Sequence, residues 1–417
     1  MKRMMPKFAA TVALLAGMMT PMLARADSDL IKRGEYLTHA ADCQACHTAA
    51  GGAAYAGGRA FKLPMGLLLY SPNITPDPTT GIGAYTDDEW VQVLHTGVAR
   101  GGKHLYPAMP YNSYTLMTRD DALAIKAYLF SLPAVHASPP ANQIGFPFNI
   151  RALMIGWNLL NNPDKRFAPD ANKSADWNRG AYLVEALGHC AQCHTPRTIT
   201  QGLDGSKAFA GAEQQGWLAY NLTNDADHGI KDWSDAALEQ YLATGHADGH
   251  GPASGPMAEA VQYSLRTLTP QDIHAMVVYL RGIPAQPDGP AVVPAYVAGA
   301  SSNPLGARIF AEACAGCHLP SGDGRQSAWA ALRGDQSLGD PTGGNLIQIL
   351  SRGSQIQTSQ GLMFMHAFTR AYTDQELAAV ANYAIGQFSG EQGQVTPDLL
   401  KKARDAAEKD GKVGSGS

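Results

Sequence analysis

Three pentapeptides constrain this chain more than any other feature of its sequence. They are CQACH, CAQCH and CAGCH, and together they use all six cysteines of the 417 residues. Each places two cysteines two residues apart and a histidine directly after the second: Cys43, Cys46 and His47; Cys190, Cys193 and His194; Cys314, Cys317 and His318. Because the cysteines fall into three such pairs with none left over, the spacing does not favour a disulfide framework.

This spacing predicts covalent attachment of haem. Two thiols separated by two residues can both reach the vinyl groups of one porphyrin, and the adjacent histidine then lies under the iron as its proximal ligand. A zinc site would need four ligands close together, and a thioredoxin-like redox motif would need a βαβ context in a single copy. We therefore expect three haem c groups, bound through the six cysteines, with iron ligated by His47, His194 and His318.

The N-terminus has the pattern of a secretory signal peptide. Basic residues precede an apolar run over 8–19, and Ala24 and Ala26 supply the small residues of a cleavage site. The run is shorter than the roughly 20 residues of a membrane-spanning helix. We predict a signal peptide over 1–26 and an exported, soluble or peripherally membrane-bound protein. The net charge of −4 gives no basic footprint for nucleic acid.

The haem motifs lie inside longer repeats, which predict a mainly α fold of three tandem cytochrome c-type domains with long Gly/Pro-rich loops. Each repeat starts with a short helix leading into the motif and ends with a helix that a threonine can cap; these threonines are Thr118, Thr269 and Thr373. A middle helix is expected before Gly97, Gly245 and Gly353. The predicted domains are 27–138, 170–285 and 300–390, with linkers 139–169 and 286–299 and a tail 391–417.

Two of the connecting segments carry apolar residues. The first linker contains FPFNIRALMIGWNLL, which we expect to form a helix packed between units. In the tail, Leu399, Leu400, Ala403 and Ala407 suggest a short amphipathic helix, for which core packing or a frayed end is favoured over a membrane anchor. The second linker is rich in Pro, Ala and Gly and is typical of a flexible connector.

A haem iron that only transfers electrons needs a second axial ligand, and methionine is the usual one. Each unit offers a methionine ahead of its final helix, on a predicted loop: Met109, Met257 and Met365. Met117 and Met276 are rivals that suit a core position, while Met363 and His366 compete directly with Met365. A histidine there would lower the potential relative to methionine.

The first two units also share a polar loop. SPNITPD in one resembles YNLTND in the other, and each follows a glycine-rich stretch. Asn73 and Asn221 could donate to a buried haem propionate, and Arg59 could pair with one. The alternative is that these are turn-forming residues with no role in binding a ligand.

These motifs, together with LYPAMPY, WNRGAYLVEALGHCAQCHTPR and GPM, resemble the cytochrome c subunits of bacterial membrane-bound dehydrogenases. The resemblance covers nearly the whole mature chain. It implies a periplasmic subunit, peripherally associated with the cytoplasmic membrane and without substrate chemistry of its own. A separate catalytic subunit carrying a quinone, flavin or molybdenum cofactor would oxidise the substrate, and the three haems would relay the electrons to ubiquinone.

Two other functions are compatible with the motifs. A haem enzyme of the peroxidase type would keep one iron position open, which would follow if the third unit lacked its methionine ligand. A free multihaem electron shuttle or an oxidase subunit would carry the same three haems without a dehydrogenase partner.

Overall fold

The computed structural model describes residues 28–63, 66–289, 301–325, 327–359 and 361–414. The predicted signal peptide and most of the second linker therefore lie outside the described residues. Among the described residues, no helix combines the length and apolar character needed to cross a bilayer.

Unit one is built of five helices and two small antiparallel hairpins. Its helices are α1 (28–40), α2 (Cys43–His47), α3 (Asp87–Thr96), α4 (Tyr111–Tyr114) and α5 (Arg119–Ser131). Its hairpins pair β1 (Ala60–Leu63) with β2 (Leu67–Tyr70) and β3 (Val98–Ala99) with β4 (Lys103–His104). The first linker contributes α6 (Leu153–Asn161).

Unit two repeats this plan. Its helices are α7 (Ala175–Ala181), which continues as a π-helical turn over Tyr182–Leu187, α8 (Ala191–His194), α9 (Asp235–Thr244), α10 (Gly255–Tyr263) and α11 (Pro270–Arg281). Its hairpin pairs β5 (Ala212–Gln214) with β6 (Trp217–Ala219).

Unit three has the same succession of entry, motif, middle and final helices, but its described hairpin follows the middle helix, and a long terminal helix comes after the final one. Its helices are α12 (Pro304–Ile309), continued by a π-helical turn over Phe310–Cys314, α13 (Ala315–His318), α14 (Gly344–Arg352), α15 (Asp374–Phe388) and α16 (Pro397–Gly414). Its hairpin pairs β7 (Ser354–Thr358) with β8 (Gly361–Met365). The mainly α fold of tandem repeats is confirmed.

The final helices begin where the threonine caps predict. The side chains of Thr118, Thr269 and Thr373 each accept a hydrogen bond from the backbone N–H three residues on. This satisfies one of the N–H groups that the first helical turn leaves without a partner. Gly97 and Gly245 end the middle helices in the left-handed conformation (φ 66° and 85°), which glycine adopts without strain.

A glycine in the first helix of each unit lets two helices cross at close range. A Cβ on Gly34 would lie 1.9 Å from the carbonyl oxygen of Ala124 in α5, and one on Gly180 would lie 1.9 Å from that of Ala275 in α11. In unit three a Cβ on Gly306 would lie 2.2 Å from a backbone oxygen of α15. The helix leading into the motif is therefore packed against the final helix, backbone to backbone.

Units one and two share one hydrophobic core, whereas most of unit three has its own. The shared core runs from Leu37 in α1 to Leu280 in α11, and unit three adds Ile356 from β7 to it. The second core lies between α12, α14, α15 and α16, and Leu400 of α16 is fully buried in it. The amphipathic tail helix therefore packs into a core, as the pattern of apolar residues favoured.

The first two units are also joined by an exchange of polar contacts. The Tyr36 hydroxyl of unit one donates to Asp272 of unit two at 2.5 Å, and the Tyr182 hydroxyl of unit two donates to Asp121 of unit one at 2.6 Å. Each carboxylate also binds an arginine of its own unit; these are Arg179 for Asp272 and Arg33 for Asp121. Each unit thus contributes a tyrosine to the first turn of the other's final helix.

Two features differ from the sequence expectation. The described residues form four short hairpins, although little of the sequence indicates strand. Met257 lies in the first turn of α10 and Met365 ends β8, rather than both lying on loops.

The predicted linker helix is present as α6, and Trp157 contacts both neighbouring units: its ring packs on Tyr111, and its Nε1 donates to Thr200 O at 2.9 Å.

Candidate haem-binding sites

Each cysteine pair lies on or directly at the start of a short helix that the chain enters by a sharp turn or a π-helical turn. Asp42 before Cys43 and His189 before Cys190 have positive φ, 50° and 40°. Unit three instead reaches Cys314 at the end of its π-helical turn. The two cysteines and the histidine of each motif are therefore presented on one tight helical turn in every unit.

The three motif histidines make the same hydrogen bond. His47 Nδ1 lies 2.8 Å from Pro72 O, His194 Nδ1 lies 2.6 Å from Tyr220 O, and His318 Nδ1 lies 2.7 Å from Ala330 O. A carbonyl oxygen only accepts, so each Nδ1 carries the proton and each Nε2 keeps its lone pair. Metal-binding histidines are commonly oriented in this way by a second hydrogen bond.

The environment also keeps these histidines neutral. Burial lowers the pKa of His47, His194 and His318, and it outweighs the opposing effect of their hydrogen bonds to backbone carbonyls. Only a neutral imidazole can donate a lone pair to iron. The donor set in all three units therefore fits a proximal haem ligand.

The asparagines of the two polar loops directly follow the residues whose carbonyls bind the motif histidines, and their side chains hydrogen-bond to other protein groups. Asn73 follows Pro72, its Oδ1 accepts from the Thr75 N–H at 2.9 Å, and its Nδ2 donates to Val135 O at 2.7 Å. Asn221 follows Tyr220 and makes the equivalent contacts, with its Nδ2 donating to Gln286 O at 2.7 Å. These amides are used within the protein, which favours the turn interpretation over propionate binding.

Arg59 is also engaged by protein groups. It donates to Ala45 O at 2.6 Å on the motif helix α2 and to Glu259 Oε2 of α10 at 2.7 Å. In the described structure Arg59 therefore joins the motif helix of unit one to unit two, and its guanidinium is already paired with protein groups where the sequence suggested a haem propionate.

The thiols do not have the character of redox-active cysteines. Burial raises the pKa of Cys46 and Cys190 to about 12 and that of Cys314 to about 11. A catalytic dithiol is instead activated by a lowered pKa. The raised pKa values therefore argue against a thioredoxin-like redox site.

Unit three contains an apolar cleft that distinguishes between its two methionines. Cys314, His318 and Met365 line this cleft together with aliphatic side chains; these include Leu332, Leu346, Leu350 and Val380. Met363 instead packs against the core shared by units one and two, and His366 is exposed beside Phe364. An apolar cleft with a histidine and a thioether on its walls fits a haem.

The other two methionines lie beside the shared core. Met109 and Met257 are partly buried and pack against it, as do Cys43 and Cys190. The rivals Met117 and Met276 are buried within that core. Met109 directly precedes Pro110 and α4, and Met257 directly follows Pro256 in α10, so a proline restricts the backbone beside each.

The cysteine motifs of units one and two are neighbours in space. Cys193 is among the groups that raise the pKa of Cys46, although burial contributes most. The helix that carries Met257, α10, packs on the motif helix α2 of unit one, while α4 of unit one packs on the π-helical turn of unit two. Each unit therefore has a helix that packs against the motif region of the other unit.

Unit three meets unit two at the loop that holds His194. The Asn345 amide exchanges two hydrogen bonds with Leu218, at 2.8 and 2.9 Å, and donates to the Tyr220 hydroxyl at 3.0 Å. Tyr220 supplies the carbonyl that binds His194, and Leu346, next to Asn345 on α14, lines the third cleft. The three sites are therefore linked in the order one, two, three.

Sequence reasoning missed several of these residues. The carbonyls of Pro72 and Tyr220 were within reach, because both directly precede the repeated asparagine. Ala330 lies in no such loop and offered no signal. The Tyr36–Asp272 and Tyr182–Asp121 contacts join different units, so no local pattern could indicate them.

The chain is similar over most of its length to known cytochromes. A model of the family described as Cytochrome c matches residues 31–133, 178–284 and 304–384. The fructose dehydrogenase cytochrome subunit of Gluconobacter japonicus is 37% identical over 94% of this chain and 88% of that protein. The gluconate 2-dehydrogenase cytochrome c subunit of Pantoea cypripedii is 36% identical over 89% of each. The cytochrome c subunit of the quinone alcohol dehydrogenase of Gluconobacter oxydans (strain 621H) is 33% identical over 95% of this chain and 87% of that protein.

Proposed function

This chain belongs to the cytochrome c family, within the group of dehydrogenase cytochrome subunits, and we propose that it relays electrons through three covalently bound haems from a catalytic dehydrogenase subunit to ubiquinone. It is an electron-transfer subunit and not the catalytic one. When bound, haem iron supplies one-electron redox chemistry that no amino-acid side chain here provides.

One observation carries the proposal: the hydrogen bond from the motif histidine's Nδ1 to a backbone carbonyl, repeated in all three units. It orients an unprotonated Nε2 beside each cysteine pair. We propose Cys43 and Cys46, Cys190 and Cys193, and Cys314 and Cys317 as the attachment residues, with one domain for each pair over 27–138, 170–285 and 300–390. The signal pattern of residues 1–26 supports export to the periplasm, with peripheral association at the cytoplasmic membrane.

The distal ligands proposed are Met109, Met257 and Met365. In unit three the cleft that Met365 shares with His318 supports this choice over Met363. A methionine in each unit would close the iron to small ligands, so the chain would act as a relay and not as a peroxidase.

The haem count is tested on the exported chain by denaturation, extraction with acidified acetone and mass spectrometry. We expect red colour that stays with the polypeptide and a mass gain of three porphyrins. Replacing Cys314 and Cys317 by serine should lower the gain to two. A chain that loses its pigment on extraction would refute covalent attachment.

The third distal ligand is tested by carbon monoxide binding to the reduced protein. Met365→Leu should open one iron position per chain and bind one carbon monoxide, whereas Met363→Leu should behave like the unaltered chain. Binding by the unaltered chain at one haem would instead favour the peroxidase-like alternative.

The electron partners require a separate experiment. Purification from detergent-solubilised membranes should recover the chain together with a large dehydrogenase subunit. The reduced chain should be reoxidised by a soluble ubiquinone analogue. Recovery of the chain alone would favour the free shuttle.

A further inference from the structure

The linker helix α6 has its polar and apolar sides reversed for a helix at a protein surface. At 3.6 residues per turn, Trp157, Asn158 and Asn161 share one side, and that side faces the protein. Asn158 Nδ2 donates to Thr96 O at 2.8 Å and its Oδ1 accepts from the Tyr111 hydroxyl at 2.8 Å. The opposite side carries only Gly156 and aliphatic residues, and it is turned outwards.

The segment that precedes α6 adds further exposed apolar residues to those on the outward side of the helix. Leu159 and Leu160 are 82% and 73% exposed, and Phe146 is 81% exposed. We name this surface the linker patch; it consists of Phe146, Ile150, Leu153, Ile155, Leu159 and Leu160, all of which are exposed. Single exposed apolar residues are common, but six within fifteen positions indicate a surface that binds a protein or a membrane.

Basic groups border the linker patch. Arg151 lies within it in sequence, and Lys103 is close enough to Arg151 for the two charges to interact. Among the described residues, neither Lys103 nor Arg151 forms an ion pair with a carboxylate. The chain as a whole carries −4, so this basic border is a local feature. An apolar face with cations at its edge matches the surface of a bilayer containing acidic phospholipids.

We propose that the linker patch docks the chain on a bilayer surface that contains acidic phospholipids, with its aliphatic side chains entering the boundary between headgroups and acyl chains. This deepens the proposed function and rests on it. The patch is fixed to the loop that carries Met109: the Tyr106 hydroxyl donates to Phe148 O at 2.7 Å, and Arg151 donates to His104 O at 2.7 Å. Docking would therefore set the Met109 side of unit one against the membrane, where ubiquinone is dissolved.

The test is co-sedimentation of the purified, haem-loaded chain with vesicles. Phosphatidylglycerol–phosphatidylethanolamine vesicles should bind it, and pure phosphatidylcholine vesicles should bind it more weakly. Leu159→Glu with Leu160→Glu should lower the partition coefficient by about 100-fold, roughly tenfold for each leucine withdrawn from the boundary. Lys103→Glu should lower it by about tenfold on the acidic vesicles alone, with the loss shrinking at high salt.

The control is Leu362→Glu with Phe364→Glu, a second exposed apolar pair, which lies on β8 outside the linker patch at 52% and 59%. It should bind like the unaltered chain. Circular dichroism should be unchanged in every variant, because the substituted side chains lie outside the cores.

Three results would overturn the proposal. The unaltered chain could fail to bind vesicles, the Leu159/Leu160 variant could bind as well as the unaltered chain, or that variant could bind vesicles normally and lose its dehydrogenase subunit on purification. In the last case the patch is a protein interface. Failure of the relay is distinguished separately, since it would abolish reoxidation by a soluble ubiquinone analogue in the unaltered chain while leaving vesicle binding intact.

Discussion

The close crossing of α1 and α5 makes Gly34→Ala a severe test of the fold. Gly34 is helical, so alanine suits its backbone, and the cost arises only from the space that the new Cβ needs. That Cβ would lie 1.9 Å from Ala124 O, about 1.5 Å short of ordinary contact at 3.4 Å. The obstacle is a backbone carbonyl that cannot rotate away, so the helices must separate. We expect a loss of about 3 kcal/mol in the free energy of unfolding, the upper end of typical overpacking costs.

The measurement is guanidinium unfolding of the haem-loaded chain, followed by circular dichroism and by absorbance of the haem bands. Because units one and two share a core, Gly34→Ala should lower the unfolding midpoint of both together and leave that of unit three in place. Gly156→Ala is the matched control: it is also helical, has no atom within 4 Å of the added Cβ, and should stabilise by about 0.5–1 kcal/mol. Equal midpoints for the two variants would refute the close-crossing argument.

Two further predictions concern the contacts exchanged between units one and two. Tyr36→Phe and Tyr182→Phe each remove a hydrogen bond to a carboxylate, and each should cost about 1.5 kcal/mol in guanidinium unfolding; no change in either would show that the exchange contributes nothing. Burial by itself would raise the pKa of Asp272, but hydrogen bonds from Arg179 and Tyr36 outweigh it and hold that pKa below its usual value. The stabilisation is therefore present above the unfolded pKa of about 4 and is lost as pH falls through the lower folded pKa. The difference in unfolding free energy between the unaltered chain and Asp272→Asn should be constant near pH 6 to 7 and shrink on acidification; a difference that grows on acidification would contradict this assignment.

Local patterns predicted the helices well because local interactions determine where they begin and end. Thr86 and Thr373 each form a reciprocal cap with a glutamate three residues on, and both helices begin directly after the threonine. The hairpins were missed because their strands are short and lack a regular alternation of apolar and polar residues. β8 carries Met363 and Met365 on its inner side and Leu362 and Phe364 outside, in a run with no polar residue to mark the two faces.

In the candidate sites, too, some residues could be predicted from local sequence and others depend on tertiary structure. Motif spacing predicts His47, His194 and His318 directly, because a thioether and an axial ligand must come from adjacent residues. The choice between Met363 and Met365 was open, since both precede the same helix. It depends on which core each side chain joins, and that is a tertiary property.

The core shared by units one and two has a consequence for how this chain can be divided. A cut within 139–169 would separate two stretches that each match a complete cytochrome c domain in sequence. Each fragment would nevertheless expose half of a common interior and leave a carboxylate without the tyrosine that the other half supplies. The smallest fragment from this end of the molecule that we expect to fold on its own therefore contains both units one and two, with both of their cysteine motifs.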